Sequence, residues 1–408
     1  MPKYINVNAA DAGRTVKMMK ILFVSHYSGR GGANNEMLWL CRELMSRGYR
    51  TYVLLPEHGA IEDDLKKTGI SCSIVPYMRW ICAAGQRNCP KSIIYRILCW
   101  ERNWRAAWKI RDFARKEKIG LIHTNDSLTV AGAYAARLAK LPHVWHLREF
   151  QEEDYDLSVV FPENYIKKWF SESDRMICIS DAIQSKYAPR FTRNNYVRIY
   201  DGIATETAAF EPREGLSNPL QLLFLGGTST GKGFEELLAL AELLKNKYHI
   251  LFRILVAGDC SGSGKYAAEI EKKNIVKEIV FYGFTKDVNK LFRRADVFLM
   301  MSHLEAFGLV TVEAMLNGAL VLGNSTGGTK EIIENGKTGF LYKENDTEDA
   351  GKVLAEICSR TDLNGIREQA YKCAQTKFSI KHTADEVEKV YSEVKDLRAA
   401  DAGHRGLL

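Results

Sequence analysis

Apolar residues along the chain fall into short runs punctuated by glycine-rich turns and by stretches at helical spacing. KILFVS at Lys20–Ser25 is a strand run, HYSGRGGAN follows it, and a helical pattern occupies Asn35 to Arg47 before a second strand run at Thr51–Leu55. Strand, glycine loop, helix, strand is a βαβ opening and predicts a parallel sheet. Further strand runs occur at Leu121–Thr124, Val144–Leu147 and Met176–Ile179, with a helix over Leu128–Leu141 between the first two. After NNYVRIYDGI comes AAFEPREGLSNP, which carries two of the nine prolines, lacks periodicity and reads as a linker. The pattern then restarts with LQLLFLGG, a helix over Glu235–Lys245, HILFRILVAG, EIVFYGF, ADVFLMMS and GALVLGN. The fold class is α/β: two doubly wound parallel-sheet domains. The expected divisions are an extension over 1–18, a first domain over 19–205, a second over 206–380, a helix over 381–398 crossing back to the first, and a tail over 399–408.

The 408 residues suit two domains at roughly 100–200 residues each, and 46% hydrophobic residues can fill two cores. No run reaches the roughly 18 uncharged apolar residues of a membrane span. The first nineteen residues lack the apolar centre of a secretory signal. Nine cysteines with no C-x-x-C spacing read as reduced thiols of a cytoplasmic protein, with Cys41, Cys178 and Cys358 in apolar surroundings.

The net charge of +7 is local. Residues 79–118 hold eleven Lys and Arg against three acids, a net +8, so the remainder is near neutral. Within a helical stretch over Lys91–Lys118, residues Ile93, Ile97, Trp100, Trp104 and Trp108 share a face, and Arg111 and Arg115 continue the stripe. Two readings stand: a surface lying on anionic lipid, or a core helix with solvated cations. No nucleic-acid-binding motif accompanies the charge.

Several loops bear chemistry. Gly29, Gly31 and Gly32 lie between a strand and a helix, as an anion cradle or a tight turn would. GGTSTGKG at Gly226–Gly233 has a Walker-like start, but Gly233 stands where a magnesium-binding hydroxyl belongs. Lys232 there suits a phosphate held without metal, or is a solvated loop lysine. Asp154-Tyr155-Asp156 has the spacing of a metal-binding pair, yet sits in the acidic cluster EFQEEDYD and reads as a solvated loop. SHLEAFGLVTVEAM, Ser302–Met315, follows a buried-strand run, and a helix is expected to start near Gly308. Neither Ala306 nor Phe307 can cap it, which leaves its first amides for a phosphate. Glu305 would then sit at the strand end, and Glu313 inside the helix, where its carboxylate can accept two sugar hydroxyls. STGGTK at Ser325–Lys330 repeats the order of strand, glycine turn and helix start.

Taken together and in this order, these motifs resemble glycosyltransferase family 4, retaining enzymes of GT-B fold whose two Rossmann-like domains face each other across a cleft. The resemblance runs from about Lys20 to Leu397. Its strongest element is the family's E-x7-E signature, here Glu305 and Glu313 with Phe307-Gly308 between them. SGRGGAN, WHLRE, ICISDAI, IYDGI, LGGTSTGKGF, FYGF and STGGTKEII support it. The resemblance implies that Glu305 and His146 meet the transferred sugar and that Glu313 holds the nucleotide ribose. It implies that Lys232 and the amides of Phe307, Gly308 and Leu309 bind the diphosphate. Gly31 and Gly32 would approach the donor from the first domain, and Gly283 and Phe284 would line the base pocket. Two positions depart from the pattern: Gly227 replaces a frequent arginine, and Asp201-Gly202 replaces Asn-Gly.

The implied activity is transfer of a sugar from a UDP- or GDP-linked donor to a saccharide or lipid-linked saccharide. It would serve cell-surface polysaccharide or glycolipid synthesis, without metal or cofactor, in the cytoplasm or peripherally on the inner membrane face. The competing readings are a phosphorylase or epimerase on the same fold, and a non-catalytic nucleotide-sugar-binding subunit.

Overall fold

Nine strands in the first half of the chain and six in the second build the sheets of a computed structural model that describes residues 19–86, 89–151, 153, 157–204 and 209–405. The first set is β1 (Lys20–Ser25), β2 (Arg50–Leu55), β3 (Ser71–Ile74), β4 (Ile81–Ala83), β5 (Leu121–Asn125), β6 (His143–Leu147), β7 (Leu157–Val159), β8 (Arg175–Cys178) and β9 (Tyr196–Arg198). Seven of these form one parallel sheet in the order β3-β2-β1-β5-β6-β8-β9, and β4 and β7 pair as an antiparallel ribbon. The second set is β10 (Leu220–Leu225), β11 (Phe252–Ala257), β12 (Ile279–Gly283), β13 (Val297–Met300), β14 (Leu320–Asn324) and β15 (Phe340–Tyr342). They form a parallel sheet in the order β12-β11-β10-β13-β14-β15. β5, β6, β13 and β14 are buried throughout because helices cover both faces, which is why they read as unbroken apolar runs rather than alternating ones.

The strand order reverses between β1 and β5 in one sheet and between β10 and β13 in the other. Ligands of doubly wound sheets bind beyond the carboxyl ends of strands at such switch points. The loops singled out from the sequence leave these ends: HYSGRGG after β1, TNDS at the end of β5, GGTSTGKG after β10 and SHLEAFG after β13.

The chain returns to the first domain through the Ile380–Arg405 helix. Ala384, Val387, Val390, Tyr391 and Val394 join a core made by β1, β2 and the Gly32–Ser46 helix. Arg47 pairs with Asp385 and Glu388, and Tyr391 Oη lies 2.7 Å from His123 Nδ1.

The basic helix, Pro90–Glu117, does not hold its tryptophans on one surface. Trp104 stacks on Tyr134 at 4.4 Å and lies against Trp169, whereas Ile93, Ile97, Trp100 and Trp108 are exposed. The expected common stripe therefore splits, because the buried face of this helix is instead the line of Ser92, Cys99, Asn103, Ala106, Ala107, Ile110 and Ala114. Cys358 likewise is exposed in the last turn of the Thr347–Ser359 helix, contrary to its apolar reading, while Cys41, Cys99 and Cys178 are buried thiols. The Asp154–Asp156 pair and the extension over 1–18 lie outside the described residues.

Candidate active site

Glu305 and Lys232 come from different strand ends and meet. Lys232 closes a short 3-10 turn, Thr230–Lys232, after β10, and Glu305 lies in the loop after β13. Lys232 Nζ is 2.6 Å from Glu305 Oε1. The two loops are tied again by the His303 amide donating to the Gly231 carbonyl at 3.2 Å and by His303 Nε2 at 2.8 Å from Glu236 Oε1. Gly233 ends the Lys232 turn at φ +86, and a Cβ there would stand 2.3 Å from the Met301 carbonyl oxygen. Only glycine combines that backbone with that approach. Gly227 sits at φ +58 with a virtual Cβ 2.0 Å from the Asp259 carbonyl, so this turn has no room for the arginine found there in the resembled family.

The Leu309–Leu316 helix begins at Gly308, at φ +100, with no side chain capping it. Thr311 N–H donates to the Gly308 carbonyl at 2.8 Å, and the amides of Leu309 and Val310 before it have no intrahelical partner. The Phe307 side chain is buried, stacked on Tyr200 at 5.4 Å and edge-on to Phe378. Glu313 lies in the second turn, beside a groove shared with Trp39 and Arg42 of the first domain and with Arg213 and Arg293. Burial pushes its carboxyl up to about 7. From the first domain, Gly31 begins the Gly32–Ser46 helix with no side-chain cap, and Gly32 has open space where a Cβ would project. At the edge strand β12, Gly283 adopts φ +78 and Phe284 is 81% exposed.

STGGTK is not a second anion cradle. The helix that follows, Thr329–Ile332, has four residues, and the glycines instead pack under the donor loop. A Cβ on Gly327 would stand 2.3 Å from the Glu305 carbonyl oxygen, and one on Gly328 would stand 2.4 Å from Phe307 Cα. Glu331 then reaches the first domain. Its carboxylate accepts from the amides of Asp181 and Ala182 at 2.8 and 2.9 Å, and Ser180 Oγ donates to the Ala306 carbonyl at 2.5 Å. The ICISDAI and STGGTKEII motifs thus join the domains next to Glu305.

His146 lies in the interior of the first domain. It is fully buried at the end of β6, with Nδ1 3.1 Å from Arg148 Nη2 and 3.2 Å from His123 Nε2. Burial first, then the Arg148 charge, depresses its pKa well below the ordinary histidine value. Arg148, also buried, pairs with Glu36 and Asp201 and donates to Asn125 Oδ1 at 3.0 Å. His146 is therefore part of the buried polar network of the first domain, with its Nε2 left without a hydrogen-bond partner.

The first domain's polar groups at the switch point are others. His26 follows β1, Asp126 follows β5 and Glu149 follows β6. Their ligating atoms lie within 4.8 Å of one another, the one such group among the described residues that could hold a metal. His26 Nδ1 is 3.5 Å from Asp126 Oδ2, which is buried without a hydrogen bond. Burial lowers the His26 pKa against the pull of Asp126. Asp126 holds φ +98, a backbone state that costs a non-glycine residue about 1–3 kcal/mol and gathers at functional sites. Sequence reading missed all three, since they are spread over 124 positions; their shared place just beyond neighbouring strand ends was the available signal.

A basic side chain paired to a carboxylate and two uncapped helix starts thus lie beyond the strand ends of two Rossmann-like domains. The model for Glycosyltransferase Family 4 matches residues 30–207, and that for Glycosyl transferases group 1 matches residues 207–374. The protein is a glycosyltransferase of GT-B fold, and the chain belongs to glycosyltransferase family 4. An uncharacterized glycosyltransferase of Methanocaldococcus jannaschii is 26% identical over 304 residues, 71% of this chain and 80% of its own. EpsD of Bacillus subtilis is 26% identical over 57% of this chain and 64% of its own. D-inositol 3-phosphate glycosyltransferase of Corynebacterium jeikeium is 30% identical over 45% of this chain and 44% of its own. Among solved structures, HepE of Anabaena in complex with UDP superposes with TM-score 0.74 at 22% identity over 92% of this chain and 100% of that one. A glycosyltransferase of Rickettsia africae superposes with TM-score 0.74 at 20% identity, over 93% and 99%.

Proposed function

We propose that this protein is a retaining hexosyltransferase that takes a sugar from a nucleotide diphosphate donor and needs no metal. The observation that carries the proposal is the Lys232–Glu305 pair beside the uncapped helix start at Gly308. Cleaving the sugar–phosphate bond leaves an anionic diphosphate and an oxocarbenium-like sugar. The ammonium and the amides of Gly308 and Leu309 stabilise the first, and the Glu305 carboxylate lies where it can stabilise the second. Glu313 accepts hydrogen bonds from the ribose hydroxyls. The acceptor oxygen bonds to the anomeric carbon as the phosphate oxygen departs, and its proton passes to that oxygen. Glu305 is not assigned as a nucleophile, and same-face attack preserves the anomeric configuration.

The acceptor is a saccharide or lipid-linked saccharide of cell-surface polymer synthesis. His26, Asp126 and Glu149 would accept its hydroxyl hydrogens. The complexes of HepE with UDP and with UDP-glucose favour uridine over guanosine in the donor. A phosphorylase, an epimerase or a non-catalytic binding subunit is less well supported, since Glu305, Glu313 and Lys232 are all present and Lys232 pairs with Glu305.

The test is a thermal-shift panel of UDP, GDP and ADP, followed by donor turnover with and without saccharide acceptors. UDP should stabilise most, and turnover should rise with acceptor and survive EDTA. Loss of turnover in EDTA would sink the metal-free account and point to His26, Asp126 and Glu149 as ligands.

A further inference from the structure

Thirteen large hydrophobic side chains stand exposed among the described residues, and six of them belong to the Pro90–Glu117 helix. Ile93, Ile94, Ile97 and Leu98 are 42–63% exposed and occupy adjacent positions of its first turns, with Trp100 48% exposed beside them. Positions i, i+1, i+4 and i+5 form one contiguous outward ridge. The helix is anchored beneath that ridge: Trp104 stacks on Tyr134, Asn103 Oδ1 accepts from the Met78 amide at 3.1 Å, and Arg96 Nε donates to the Val160 carbonyl at 2.6 Å. The ridge is therefore held out from a rigid body.

Cations surround it. Lys91, Arg102, Arg105 and Lys109 are exposed on the same helix, within the segment of net charge +8. Apolar side chains at the tip and cations behind them match a bilayer of anionic lipid, where the first enter the acyl boundary and the second meet the headgroups. A second copy of the chain fits less well, since it would set one +8 segment against another. We propose that this ridge docks the protein on an anionic membrane surface, with Ile93, Ile94, Ile97, Leu98 and Trp100 inserted. The inference stands apart from the transfer reaction, because docking is measured without donor or acceptor.

The experiment is co-sedimentation of the full chain with phosphatidylcholine vesicles, alone or with about 30% phosphatidylglycerol, at low and at 0.5 M salt. Partitioning should be at least about tenfold greater on the anionic vesicles at low salt and should fall with salt. Ile94→Gln/Ile97→Gln leaves the charge unchanged and should cut binding about tenfold or more at unaltered Tm. Lys91→Gln/Arg102→Gln/Arg105→Gln should abolish the preference for anionic lipid. Equal binding to both vesicle types, or none at low salt, overturns the proposal. So does a dimer that the isoleucine variant dissociates without any vesicle binding.

Discussion

Lys232 Nζ and Glu305 Oε1, 73 positions apart in sequence, are 2.6 Å apart across the mouths of β10 and β13. The lysine is nearly half exposed, and such pairs contribute only about 0–1 kcal/mol to stability. In the proposed reaction the pair instead holds a cation in place until a diphosphate competes for it. Lys232→Ala and Glu305→Gln should each lower kcat/KM about 10²- to 10³-fold, the scale set by removing one electrostatic contact from a transition state. Both should unfold in urea close to the wild type. A drop in stability with little loss of turnover would reverse this assignment.

Glu313 supplies a pH dependence. Its carboxyl is raised to about 7 by burial, so the folded protein holds a proton there that the unfolded chain, near 4.5, releases. Its contribution to stability is present in full below about 4.5 and is lost as pH rises through about 7. In the proposed reaction donor binding runs the other way, because only the ionised carboxylate would accept both ribose hydroxyls. UDP affinity measured calorimetrically should tighten as pH rises from 6 to 8, and Glu313→Gln should weaken it about tenfold or more and flatten the profile. An unchanged slope in the variant would assign the titration elsewhere.

The strand ends were legible and the interior between them was not. β1 and the helix at Gly308 could be read because a buried parallel strand is an unbroken apolar run and an uncapped helix start is visible in Ala306-Phe307-Gly308. Short strands such as β4 and β7 carry three residues each, too few for a period to show. The E-x7-E spacing named both glutamates, but sequence alone gave no sign that Lys232 closes on Glu305. For His146 the motif gave a position along the chain, but not the buried His123 and Arg148 that pack against its Nδ1.

Two glycines separate support from approach. Gly328 lies under the donor loop, and a methyl group there meets the backbone of Phe307 at 2.4–2.5 Å. Gly328→Ala should cost about 1–3 kcal/mol by overpacking and should lower turnover about 10²-fold by displacing Glu305 and the Gly308 amides. Gly32 has nothing within 4 Å of its virtual Cβ, at the open start of its helix. Gly32→Ala should hold or raise Tm, since alanine favours the helix by up to about 1 kcal/mol, yet impair transfer by narrowing the approach to those amides. Equal turnover in Gly32→Ala and wild type would remove this loop from the site.

The buried network beneath the cleft rests on Arg148. One guanidinium serves Glu36, Asp201, Asn125 and His146, and every one of these side chains is buried. Two carboxyls share a single cation in a dry interior, and burial, the largest influence, raises both of them against the pull of Arg148. Removing one partner of a buried ion pair costs about 3–5 kcal/mol, because the remaining charge is left without compensation. Arg148→Met should lose stability on that scale in urea unfolding. The loss should deepen as pH rises, since Glu36 and Asp201 would have to ionise unpaired. Arg148→Lys should recover little, because an ammonium on a single stem cannot reach four partners set around a planar fork. Asp201 stands where the resembled family has asparagine, so Asp201→Asn removes one of the two competing carboxyls. That variant should be tolerated far better than Arg148→Met, and it should reduce the pH dependence of stability. If Asp201→Asn destabilised as much as Arg148→Met, the shared-cation account of this network would be wrong.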